Sequence, residues 1–275
     1  MSLVIVTLAA VLGLAVGSFL NVVVYRVPNG LSVVAPASAC PSCGHEIRAR
    51  DNVPVLSWLV LRGRCRDCSA PISARYPLVE MATAALFALV AGLAAPAVDS
   101  APTGPSTAVP FIVLIALLYF MAISIALALI DADVHRLPNA IVLPAYPVLA
   151  ALLVLSSAAS GDWVALGRAG IGLAALGGMY LALALVVPGG MGLGDVKLAG
   201  VLGMVLAYLG WGPLAVGAFG AFVLGGTFAI GLVLAGRARR GSGIPFGPWM
   251  LAGAWLGVFI GQPLLDGYLR IIGLA

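Results

Sequence analysis

The sequence predicts an all-α, polytopic membrane protein with about eight transmembrane helices and one small soluble insert. Three observations predict it. Of 275 residues, 62% are hydrophobic and 9% charged, with a mean hydropathy of +1.14. A water-soluble domain needs about 25% charged residues to solvate its surface, so the solvent that suits this chain is a bilayer. Apolar stretches of spanning length recur along the whole sequence, and the 35 glycines suit close packing of helices in lipid. Between the first two stretches the composition changes: residues 26–77 hold all 4 cysteines and most of the arginines.

The predicted spans are Leu3–Val24, Leu78–Ala95, Pro110–Ile130, Ile141–Ser156, Ala169–Val187, Leu198–Trp211, Leu214–Ala235 and Trp249–Leu265. The sixth is short and is expected to begin nearer Gly194. The first lacks a preceding basic region and is too long for a signal-peptide core, so it reads as a retained helix rather than a cleaved leader. The chain thus divides into a first helix (1–25), an insert (26–77) and a membrane core (78–275).

Charge placement sets the orientation. Arg26, Arg48, Arg50, Arg62, Arg64, Arg66 and Arg75 lie between the first two spans. Arg136 follows the third, Lys197 follows the fifth, and Arg237, Arg239 and Arg240 follow the seventh. Of the 14 basic residues only Arg168 and Arg270 fall on the opposite side, which marks the richer side as cytoplasmic. Ser100–Ser106 reads as an external loop rich in Pro, Ser and Thr. No long charge run suggests a nucleic-acid partner.

The insert, of about fifty residues, is too small to rely on a hydrophobic core alone. It contains Cys40-Pro-Ser-Cys43-Gly44-His45 and Cys65-Arg-Asp-Cys68. Two Cys-x-x-Cys knuckles about twenty residues apart match a tetrahedral, structural zinc site. Disulfides are disfavoured in a reducing cytoplasm, and the βαβ setting of a redox dithiol is missing. Four thiolates leave no open position for catalysis at the metal. His45 reads as a surface residue, with ligation as its alternative.

Carboxylates at spans are costly, so each is a candidate for function. Asp131 ends the third span in Leu-Ile-Asp131-Ala-Asp133-Val-His135-Arg136-Leu-Pro138-Asn139. Asp195 opens the sixth in Gly189-Gly-Met-Gly192-Leu-Gly194-Asp195-Val-Lys197-Leu. Both fall on the cytoplasmic side at similar depth. Two adjacent carboxylates titrate as a coupled pair, one ionised and one protonated, which is the arrangement that hydrolyses peptides. Gly192 and Gly194 would let an extended substrate strand approach the backbone. Asp133 faces elsewhere on a continuing helix and is the alternative to Asp131. The plainer reading makes Asp195 a helix cap and Lys197 an interfacial anchor.

The sequence resembles the prepilin peptidases, or type IV leader peptidases, of the GxGD aspartic protease group. The resemblance runs from Gly17-Ser-Phe-Leu-Asn21-Val-Val-Val-Tyr25-Arg26-Val-Pro28 through both knuckles, with Pro54-Val-Leu-Ser-Trp58 and Arg62-Gly-Arg64-Cys65 between them. It continues in Arg75-Tyr-Pro77-Leu-Val-Glu80, Ile130-Asp131, Leu137-Pro138, Gly192-Leu-Gly194-Asp195-Val-Lys197 and Ile244-Pro-Phe-Gly247-Pro248. It implies that Asp131 and Asp195 are the catalytic pair, with Gly192, Gly194 and Lys197 orienting the substrate. It also implies prepilin or pseudopilin substrates, cut after a glycine at the inner-membrane surface of a bacterium. Members with the cysteine insert then N-methylate the new amino terminus with S-adenosylmethionine. One position departs: the family often has aspartate where this chain has Asn139. The rival readings from the residues are an ion-coupled transporter using Asp131 and Asp195, and a non-catalytic assembly scaffold docking through the insert.

Overall fold

The computed structural model describes residues 2–101, 104–186, 191–236 and 245–274. Arg237, Arg239, Arg240, Gly189, Gly190, Val187 and Ile244, and residues 102–103 of the external loop, lie outside the described residues. Nine α-helices follow one another in the described chain: α1 (Ser2–Arg26), α2 (Leu56–Val60), α3 (Arg75–Asp99), α4 (Val109–Val134), α5 (Asn139–Ser160), α6 (Trp163–Val186), α7 (Leu193–Leu209), α8 (Trp211–Leu234) and α9 (Gly247–Ile271). Among the described residues there is no strand, only isolated bridges of Ala39 with Glu46 and Arg64 with Pro71.

Seven of these helices are long and apolar enough to cross a membrane. The sixth expected span, α7, has 17 residues and covers about 25 Å, short of the roughly 30 Å apolar thickness of a bilayer. Its limits are set by Gly192 before it and Gly210 after it, and α8 starts at once at Trp211. Every residue from Leu198 to Tyr208 is buried. That continuous burial, on every side of the helix, makes α7 an inner helix enclosed by protein rather than a lipid-facing one.

The chain forms two compact units, 1–126 and 127–275, with the boundary inside α4. In the first unit, α1 lies against α3 at backbone distance. A Cβ on Gly13 would stand 2.7 Å from Ala84 Cα, and one on Gly17 would stand 2.8 Å from Glu80 Cα. Phe87, Val90 and Ala91 are buried in that seam. The polar links are at its ends, where Ser2 donates to Asp99 and Asn21 Nδ2 donates to Tyr76 O.

In the second unit, two close helix pairs hold the core. Gly172 of α6 and Gly203 of α7 meet reciprocally: a Cβ on either would lie within 2.3 Å of the other's carbonyl oxygen. Along α8 and α9, a Cβ on Gly253 would come to 2.4 Å from Ala221 N, and one on Gly257 to 2.3 Å from Pro213 O. With no hydrophobic drive between helices in lipid, such contacts act through dispersion and are lost if the backbones separate. At the far end of α7, Arg168 donates to the carbonyls of Ala207 and Tyr208 at 2.5 and 2.7 Å, satisfying acceptors the helix end leaves open. Gly203→Val and Gly257→Val are expected to cost at least about 3 kcal/mol each, because backbone rather than side chain must yield. A fall in thermal midpoint of the detergent-solubilised protein checks this.

Candidate active site and metal centre

In the second unit, the end of α4 and the starts of α5, α7 and α9 carry the sequence-predicted acidic residues and their neighbours. Asp131 lies in the last turn of α4 and is buried. Its Oδ2 accepts the N–H of Gly247, the first residue of α9, at 3.0 Å. A helix start offers unpaired N–H groups, which is why an apolar helix end can hold a carboxylate. Asp195 is the third residue of α7 and is half-buried. Its Oδ2 accepts the N–H of Gly192 at 3.2 Å, the reach-back of a helix cap. Each carboxylate therefore uses one oxygen on a backbone donor, and neither Oδ1 has a hydrogen-bond partner among the described residues.

The start of α7, which carries Asp195, and the start of α9, which holds Asp131, both pack on Leu137. Leu137 sits between the starts of α7 and α9. A Cβ on Gly194 would lie 3.0 Å from Leu137 Cβ, and one on Gly247 would lie 3.3 Å from Leu137 Cδ2 and 2.7 Å from Asp131 Oδ2. Glycine at 194 and 247 is thus a packing requirement, separate from any substrate contact. The chain reverses to bring Leu137 there through His135, whose φ of 54° is left-handed. Asp133 is exposed, on a different face from the buried Asp131.

Lys197 donates from Nζ to Asn139 Oδ1 at 3.0 Å, and its carbonyl accepts the Tyr146 hydroxyl at 2.6 Å. It ties α7 to α5. Behind Asp195, Tyr180 of α6 is buried within electrostatic reach of the carboxylate. Its ring packs with Phe222 and Phe246 at centroid distances of 5.7 and 6.3 Å. Nothing in the sequence singled out Tyr180 or Phe222, because aromatic residues in apolar helices carry no pattern that separates lining from packing. Leu137 and Gly247 had a signal, the Leu-Pro and Phe-Gly-Pro motifs, but not a stated role.

The metal centre belongs to the first unit. The sulfurs of Cys40, Cys43, Cys65 and Cys68 all lie within 4.8 Å of one another, and Cys40 Sγ is 3.8 Å from Cys68 Sγ. Tetrahedral ligation at a Zn–S distance of about 2.3 Å separates sulfurs by about 3.8 Å, so the group fits zinc. The two knuckles share one backbone design. Cys40 N–H bonds to His45 O and Gly44 N–H to Cys40 O; Cys65 N–H bonds to Ala70 O and Ser69 N–H to Cys65 O. The fifth position is left-handed in both, Gly44 at φ 74° and Ser69 at φ 58°. Backbone donors from Ser42 and Cys43 pull the Cys40 thiol down to about 6, whereas burial and the neighbouring thiols hold Cys43 and Cys68 up. All four cysteines are free of disulfides. Arg48 pairs with Asp67 at 2.9 Å and Arg66 with Asp51 at 2.6 Å, linking the knuckles at their rims. The Arg66 hydrogen bonds hold the Asp51 carboxyl below its usual range.

Two family models match the chain. The Bacterial Peptidase A24 N-terminal domain matches residues 11–93, and the type IV leader peptidase family matches residues 118–230. A prepilin leader peptidase/N-methyltransferase of Aeromonas hydrophila is 36% identical over 96% of this chain and 93% of its own length. Proteins of the same name from Pseudomonas putida and Burkholderia pseudomallei (strain K96243) are each 38% identical, over 98% and 93% of this chain and 95% and 85% of their own lengths. The chain belongs to the type IV leader peptidase family. No solved structure matches it. Membership makes the chain a membrane peptidase, and it removes the transporter and scaffold readings.

Two outcomes are expected from this geometry. Purified protein should carry one zinc per chain, and Cys65→Ser should remove it and unfold the insert while the helical signal of the spans persists, read by elemental analysis and circular dichroism. Gly247→Ala should press a methyl against Asp131 and lower leader cleavage by roughly tenfold to a hundredfold, with membrane insertion unchanged, read by a cleavage assay on a prepilin.

Proposed function

We propose that this chain cleaves the leader from prepilins or pseudopilins with Asp131 and Asp195 as its catalytic carboxylates. The observation that carries the reading is their convergence from the end of α4 and the start of α7, each held by a backbone N–H and each keeping Oδ1 without a described partner. Water bound between those oxygens would lose a proton to the ionised carboxylate as its oxygen adds to the scissile carbonyl carbon. The protonated carboxylate donates to the carbonyl oxygen. The resulting tetrahedral species collapses as the leaving nitrogen takes up a proton and the C–N bond breaks. Two carboxylates brought to one water would not both ionise cheaply, so one proton shared between them is the state the reaction would use.

Gly192, exposed beside Asp195, leaves room for the backbone of an extended peptide at the start of α7, while the space beside Gly194 is taken by Leu137. Lys197 orients α7 through Asn139. The side-chain amide accepts this bond as an aspartate would, so the departure at Asn139 leaves the link in place. The bias of the arginines supports a site at the cytoplasmic face of a bacterial inner membrane, where the leader would enter from water and the apolar segment of the substrate from lipid.

The relatives' shared name adds N-methyl transfer, and the reading extends to this chain with S-adenosylmethionine as donor. The described insert has no strand-turn-helix cradle of the kind that holds a nucleoside group.

Asp131→Asn and Asp195→Asn should each lower cleavage by at least about a thousandfold, while zinc content and membrane insertion stay at wild-type levels. Mass spectrometry of a synthetic prepilin incubated with proteoliposomes reads the product directly. Cleavage at normal rate by either variant would sink the assignment.

A further inference from the structure

The insert contains a short helix whose pattern is inverted. In α2, Leu56, Leu59 and Val60 fall on one face by their spacing, and they are 61%, 56% and 76% exposed. The polar Ser57 of the same helix is 8% exposed, with its hydroxyl between Arg50 O and Val53 N–H. Trp58 also turns inward: its Nε1 donates to Ile72 O at 3.1 Å, and Gly63 packs against its ring. A helix in water buries the likes of Leu56, Leu59 and Val60 with Trp58 and exposes Ser57.

The orientation is held against resistance. Val55, before α2, has φ 60° and ψ −50°, a region that a β-branched residue avoids. Its N–H is fixed by the buried Glu80 carboxylate of α3 at 2.7 Å. Arg62, after α2, is left-handed as well, at φ 52°. Strained residues on both sides persist only where the surroundings fix them. What they fix is an apolar face turned outward.

Charge says what that face meets. Residues 26–77 carry Arg26, Arg48, Arg50, Arg62, Arg64, Arg66 and Arg75 against Glu46, Asp51 and Asp67. Arg48 and Arg66 are paired, but the exposed Arg62 and Arg64, directly after α2, have no carboxylate partner among the described residues. Both ends of the insert join spans, at Arg26 and Arg75, so it is held close to the bilayer surface. Three outward apolar side chains followed by two exposed arginines match the acyl boundary and the phosphate layer of such a surface.

We propose that α2 is a membrane-surface anchor: Leu56, Leu59 and Val60 enter the interface of an anionic phospholipid bilayer while Arg62 and Arg64 bind its phosphates, laying the metal-binding insert on the membrane. This is independent of the catalytic assignment. The test is amide hydrogen exchange on full-length, zinc-loaded protein in nanodiscs of phosphatidylcholine alone or with phosphatidylglycerol. Exchange across residues 56–62 should be slower in the anionic discs by roughly thirtyfold, the factor for two arginines near such a surface. The Arg62→Gln/Arg64→Gln variant should lose that difference, and Leu56→Ser/Leu59→Ser/Val60→Ser should lose protection in both discs. Equal exchange in the two lipids for the wild-type chain overturns the proposal, as does protection that arises only when a pilin-like apolar peptide is added. The wild-type comparison decides the matter even where a variant loses zinc.

Discussion

The hydrogen bond from Gly247 N–H to Asp131 Oδ2 is the constraint on which the rest of the candidate site depends. A carboxylate at the end of an apolar helix has no water shell to rely on, so protein donors must replace it. Here the donor is the first N–H of another helix, a group that has no partner within its own helix. The bond fixes where α9 begins relative to the end of α4. Leu137, lodged between Gly194 and Gly247, then fixes where α7 begins. Three helix termini are thereby brought to one place, and the second carboxylate arrives with α7.

That convergence needs helices that can approach closely. The reciprocal contact of Gly172 with Gly203 fixes the line of α7 along α6, and the glycines of α8 and α9 fix α9 in the same way. A side chain at any of these positions would move a helix start by more than a hydrogen bond tolerates. Glycines far from the acidic pair therefore act on it through rigid helices. The link of Lys197 to Asn139, with Tyr146 on the Lys197 carbonyl, serves the same end at α5.

Much of this was legible in the sequence, for reasons that differ by element. The long spans were readable because lipid demands continuous apolar runs, and the cysteine cluster because metal ligation demands fixed spacing. The helix α7 was harder. Its 17 residues are shorter than a standard span, and its complete enclosure depends on partners that hydropathy does not see. The acidic residues stood out as charges where charge is costly. Their partners did not, because Gly247, Leu137 and Tyr180 act through position, and position comes from packing between segments remote in sequence.

The insert carries the opposite lesson, that a local pattern can be clear while its purpose is set from outside. The two knuckles repeat one set of backbone bonds, yet the left-handed position is Gly44 in one and Ser69 in the other. A serine there costs on the order of 1 kcal/mol against glycine, which a folding free energy drawn from four metal–thiolate bonds can absorb. The same reserve explains how so few residues hold Val55 and Arg62 in left-handed conformations and keep the apolar face of α2 turned outward. An insert of this size without a metal would relax those residues and bury Leu56, Leu59 and Val60. Zinc held by the four cysteines would thus sustain a surface that the chain's own hydrophobic drive would otherwise fold away.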